Sequence, residues 1–120
     1  MTNLIVAAAL ILEAGGEGKP GMRAVREVIA TRAVQSRSCE SSVVTKRLQF
    51  SAFNGISTNA AIAKASRHPK WNLALEMSAQ PARTSHAKGA NHYCTLDTFP
   101  KWAKGRTPVA VVKNHKFFKL

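Results

Sequence analysis

Acidic side chains are scarce in this chain: six Asp and Glu stand against 18 Lys and Arg in 120 residues, a formal net charge of +12. A site made of several carboxylates is therefore hard to assemble. The charge instead draws the protein to polyanions: nucleic acid, anionic lipid or an acidic wall polymer. Cysteine is also sparse. Cys39 and Cys94 exclude a disulfide-rich scaffold and a paired-CxxC zinc site, leaving one bridge in an oxidising compartment or two reduced core thiols. No apolar run is long enough to span a membrane; the longest, Leu4 to Leu12, has nine residues. No Lys or Arg precedes Lys19, so a signal peptide would lack its basic start, and the run reads as a buried helix of the mature protein. HExxH, GxSxG, a Gly-rich phosphate loop, internal repeats and low-complexity segments are also missing.

What is present fits one domain, residues 1–120, long enough to bury roughly two-thirds of its unfolded surface. Thr2 or Asn3 can cap a first helix running to Ala14, where Gly15 and Gly16 are expected to close it in the left-handed conformation. Pro20 suits the first turn of a second helix, to about Gln35, with Met22, Val25, Val28 and Ile29 inward and Arg23, Arg26 and Glu27 outward. A polar break precedes a short apolar piece around Val43 to Leu48, and Asn54-Gly55 marks a turn. Two more helices are predicted over about Asn59–Arg67 and Lys70–Gln80, with Trp71 in the core. From Pro81 the character changes. "NHYCTL" and "PVAVVKNHKFF" are rich in strand formers, and eight of the basic residues face one acid, Asp97. The expectation is a mainly helical α+β protein with a small antiparallel β element in its C-terminal third.

Glu13 is the unusual residue. It ends an apolar helix, where the dipole disfavours an anion and apolar neighbours desolvate it. Both effects raise its pKa, and a carboxyl held protonated near neutrality is what a general acid for glycosidic cleavage needs. The competing reading is a glutamate emerging into water at the helix end. Glu17 precedes the second helix, where the dipole favours an anion. Glu27, Glu40, Glu76 and Asp97 read as surface charges. Glycosidases normally use two carboxylates, and Glu17 is the one obvious partner for Glu13.

Among the histidines, His92 and His115 with Cys94 are conceivable zinc ligands. No short His-x-x-x-His pair supports them, so no metal and no cofactor are expected.

Set in order, these residues resemble the cell-wall hydrolase family typified by bacterial spore-cortex-lytic enzymes. The landmarks are Glu13-Ala14-Gly15-Gly16-Glu17, then Gly21, Ala24-Val25 and Arg32, and Gln49-Phe50-Ser51. They continue with Trp71, Ala74 and Leu75, Ala90-Asn91-His92-Tyr93, Pro100-Lys101-Trp102 and His115-Lys116-Phe117. Gly15 stands where the family often has a larger basic residue, and Lys113-Asn114-His115 where it more usually has Ile-Gly-x-His.

The resemblance implies a lysozyme-like domain that cuts the glycan strand of peptidoglycan as a muramidase or lytic transglycosylase, with Glu13 as the catalytic acid. In the transglycosylase version the same residue then acts as base while the muramic acid 6-hydroxyl closes a 1,6-anhydro ring, so no second carboxylate is required. Glu17 is a supporting residue, and Gln49, Ser51, His92 and Tyr93 are candidates for lining the cleft. The expected setting is a phage endolysin: a monomer made in the host cytoplasm without a signal peptide, released to the wall, and drawn to an anionic wall or outer-membrane surface by its charge. The rivals are a basic nucleic-acid-binding module, which explains the charge but not Glu13, and a wall amidase or peptidase, which needs metal ligands.

Overall fold

In a computed structural model of the chain, which describes residues 2–46 and 55–120, the apolar run is the hub of the helical body. It forms α1, Thr2–Ala14, and every residue from Ile5 to Ile11 is buried. A helix that is apolar on all sides needs partners on all sides. It finds them in α2 (Gly18–Ser36), α3 (Glu40–Thr45), α4 (Thr58–Ala65) and α5 (Trp71–Ala79), each of which packs against it. Ser57 caps α4 by accepting the Ala60 N–H at 3.1 Å, and Trp71 lies half-buried against the core. Among the described residues, no helix is long and apolar enough to cross a membrane.

The closure of α1 differs from the sequence expectation. Gly15 and Gly16 do not take the left-handed conformation; with Glu17 they form a single 3₁₀ turn, and the positive φ, 75°, falls on Gly18 at the start of α2. Gly15 answers to space instead. A Cβ there would lie 3.1 Å from His68 Nε2, closer than most real contacts, so any side chain there would require the imidazole to shift.

Pro20 sits in the first turn of α2, as expected. Met22, Val25 and Ile29 enter the main core, while Ala24 and Val28 join a second cluster with Ala87, Ala90 and Phe117. Thus α2 is packed between two cores and has little outer face. Arg26 and Glu27, expected outside, are 7% and 4% exposed. Both have partners, as buried charges require. Arg26 donates to the Met77 and Gln80 carbonyls and pairs with Glu40. The Glu27 carboxylate accepts the backbone N–H groups of His86 and Ala87, at 3.1 and 2.8 Å. Glu27 and Glu40 therefore tie helices and loop together, whereas Glu76 and Asp97 are exposed.

The last third carries three antiparallel strands, β1 (His92–Thr95), β2 (Ala110–Val112) and β3 (His115–Phe118), in the order β1-β3-β2. The mainly helical α+β architecture is as predicted. The second strand-forming stretch folds on itself as a hairpin whose two-residue turn puts Lys113 at φ 54°, the positive φ such turns demand. Tyr93 pairs with Phe117 and Thr95 with His115; His92 pairs with Phe118 and Cys94 with Lys116. Side chains alternate between faces along a strand, so His115 lies on the face opposite His92 and Cys94. The three conceivable zinc ligands are thereby separated. Both cysteines are free, and Cys39, exposed, is not a core thiol.

Candidate active site

Two elements distant in sequence meet at the C-terminal end of α1. The Tyr93 hydroxyl, on β1, donates to Glu13 Oε1 at 3.0 Å. Tyr93 itself is fixed by rings: His115 meets it edge-on with centroids 5.3 Å apart, and Phe117 is tilted against it at 5.6 Å. β3 thus aims the phenol of β1 at the carboxyl that α1 delivers.

Burial raises the Glu13 pKa above the ordinary carboxylate value; the Tyr93 hydrogen bond and the His115 ring pull it back without cancelling the shift. Burial also pushes the Tyr93 hydroxyl well above its usual range, reinforced by Glu13. Tyr93 is therefore a neutral donor, and Glu13 is a carboxyl that holds its proton longer than a surface glutamate. The arrangement can give a proton to an acceptor and take one back.

Glu17 has a different place. Its Oε1 accepts the Asn114 N–H at 2.9 Å, and its Oε2 contacts His115 Nδ1. Both side chains are 9% exposed. Glu17 thus clamps the β2–β3 hairpin to the start of α2, behind the ring that supports Tyr93. Gly21 makes room for this clamp, since a Cβ there would lie 2.7 Å from Glu17 Cβ.

His92, one residue before Tyr93, faces the other way. Its Nδ1 lies 3.0 Å from Asn91 Oδ1 and its ring packs at 4.9 Å on Trp102. Burial, then Arg32 and Arg106, lowers its pKa, so its ring is neutral at neutral pH. It helps line a cavity of about 700 Å³ with Arg32, Gln35, Ser36 and Ser42. Glu13 is not among the lining residues. Arg32 is the link, because its charge acts on both His92 and Tyr93. Gln49 and Ser51 lie outside the described residues.

Of the expected site residues, Glu13 and Tyr93 are in direct contact, Glu17 supports them through His115, and His92 stands on a neighbouring surface. Sequence reasoning left His115 and Arg32 out of the site. His115 belonged to a quoted landmark, His115-Lys116-Phe117, and Arg32 to the opening motif; that was the available signal.

The sequence model of the family described as Cell Wall Hydrolase matches residues 16–118, a span that begins just after Glu13. No curated protein matches the chain. Among solved structures, the chain is similar to the catalytic domain of the Bacillus cereus SleB protein, with a TM-score of 0.67 and 23% identity, over 98% of this chain and 89% of that one. At that identity the likeness concerns the fold: a helical body with a small C-terminal sheet.

Proposed function

The chain belongs to the cell wall hydrolase family, and from that premise we propose that it cuts the glycan strand of peptidoglycan, with Glu13 as proton donor. The observation that carries this reading is the half-buried Glu13 carboxyl, its pKa raised by burial and its Oε1 held by Tyr93. With Oε1 held, Oε2 is left to face the glycosidic oxygen. Glu13 protonates that oxygen as the C1–O bond breaks, and the resulting carboxylate stabilises the oxocarbenium-like sugar. It then takes a proton from the nucleophile.

The nucleophile in this reading is the muramic acid 6-hydroxyl, which closes a 1,6-anhydro ring. Support comes from Glu17. A two-carboxylate hydrolase needs a second acid free to activate water or attack the sugar, and both Glu17 oxygens are engaged by Asn114 and His115. The cavity beside His92, with the amide of Gln35 and the hydroxyls of Ser36 and Ser42, offers groups suited to sugar hydroxyls.

Mass spectrometry of digested peptidoglycan tests the proposal. Products ending in 1,6-anhydromuramic acid are expected. Reducing ends would require water as nucleophile and reopen the role of Glu17; intact glycan with cut peptides would transfer the activity to an amidase or peptidase.

A further inference from the structure

The connection between β1 and β2 forms, with β3, a second cavity of about 540 Å³. Pro100 and Phe118 give it apolar walls, and Lys101, Lys104, Arg106 and Lys116 surround them with positive charge. Asp97, the one acid in residues 81–120, is not among the lining residues. At the lip stands Phe99, 84% exposed, with Lys116 Nζ 4.2 Å from its ring centre. Phe99 and Lys116 thus set an apolar ring and a cation side by side at the edge of the cavity. The occupant that fits is elongated, anionic and partly apolar.

The cavity adjoins the surface that carries His92. Phe118 on its wall meets Trp102 edge-on at 5.2 Å, and Trp102 packs on His92 at 4.9 Å. Arg106 lines the cavity and is near enough to His92 to act on its charge. His92 borders the first cavity, whose Gln35, Ser36 and Ser42 are the groups proposed above for sugar hydroxyls. A group hanging from a strand bound along this surface would reach the basic cavity.

We propose that the cavity between the β1–β2 connection and β3 is a subsite for the anionic stem peptide carried by the glycan strand. The inference rests on the glycan-strand reading above. Stem peptides present carboxylates for Lys104 and Arg106 and methyl groups for the Pro100, Phe118 and Phe99 surfaces. Cations from Lys101, Lys104, Arg106 and Lys116 surround a concave space that a chain can enter and a flat lipid surface cannot.

The test compares initial rates on purified strands that keep their stem peptides with rates on the same strands stripped by an amidase. Intact strands should be cut roughly tenfold faster or more, the effect of one charge-assisted contact. In the Lys104→Ala/Arg106→Ala variant that ratio should fall to about one. A ratio taken within one protein is insensitive to how much of it is folded. The Lys64→Ala/Arg83→Ala variant, which loses the same charge at exposed positions elsewhere, should keep the wild-type ratio. Equal rates on both substrates by the wild type, or a preference that survives in the Lys104/Arg106 variant, would overturn the subsite. Equal rates together with tight binding to phosphatidylglycerol vesicles would assign the cavity to a lipid surface instead. If neither substrate were cut, the glycan-strand reading itself would fall, which is a distinguishable result.

Discussion

Tyr93 and Glu13 stand 80 residues apart in sequence and 3.0 Å apart in space, phenol to carboxylate. The hydrogen bond works against the effect of burial. Desolvation lifts the Glu13 pKa, and the donated bond lowers it by favouring the charged form. The balance leaves an acid that is protonated more readily than usual yet still able to become a base.

Glu13→Gln keeps the size of the side chain and its ability to accept from Tyr93 but cannot donate a proton to a leaving oxygen. Turnover should fall by about 10²–10⁴-fold, the range of general acid–base catalysis. Stability should move the other way. A carboxyl whose pKa is raised above 4.5 by folding stabilises the native state at low pH, and that contribution is lost as pH rises through the folded value. At neutral pH the variant should therefore melt at the same temperature as the wild type or higher. Wild-type activity in a folded Glu13→Gln protein would end the assignment.

Tyr93→Phe removes the donor and leaves the ring packed on His115 and Phe117. The Glu13 pKa then loses a lowering influence and rises further. The alkaline limb of the pH–rate profile, where the acid loses its proton, should shift to higher pH. A shift to lower pH would mean that the limb belongs to another group.

Gly21→Ala places a methyl 2.7 Å from Glu17 Cβ. Alanine is the better helix former by about 1 kcal/mol, yet the clash should outweigh it, since overpacking costs about 1–3 kcal/mol. Gly16 has open space around it and no positive φ, so Gly16→Ala should change stability by less than about 0.5 kcal/mol. Glu17→Gln should destabilise the fold through the loss of its contact with His115, while retaining far more activity than Glu13→Gln. Thermal melts and initial rates on the four variants separate these outcomes; equal inactivation of folded Glu17→Gln and Glu13→Gln would argue for a two-carboxylate hydrolase.

Cys39 is exposed, and hydrogen bonds from Ser41 and Ser42 lower its pKa to about 7. More of it is thiolate at neutral pH than in an ordinary thiol, so alkylation should be faster there than at the less exposed Cys94. Cys39→Ser should abolish the fast phase without affecting peptidoglycan cleavage. Two equally slow thiols would contradict the local hydrogen-bond geometry.

Local pattern made much of this legible. Leu4 to Leu12 read as a buried helix once a signal peptide was set aside, Pro20 and the periodicity of Met22, Val25 and Ile29 marked α2, and the residue types after Pro81 marked strands. The departures have one physical cause: they depend on partners far along the chain. Arg26 and Glu27 looked solvent-facing because their hydrogen-bond partners lie 14 to 60 residues away. Gly15 looked like a helix terminator because His68, which crowds it, is invisible from its neighbours. Glu13 was legible because its oddity, a charge at the end of an apolar helix, is local. The role of His115 was not, because it exists only once the hairpin meets Glu17.

The bond between Glu17 and Asn114 spans 97 residues, and that separation governs the order in which the surroundings of Glu13 are assembled. A ribosome delivers α1 first, so the acid emerges early with nothing to hold it. The phenol arrives much later, and the hairpin that steadies it later still. Helices form locally and fast, while contacts this distant must wait for the intervening chain and for closure of a long loop. The contacts that hold Glu13 in place are therefore complete only once β3, His115–Phe118, has been made and docked.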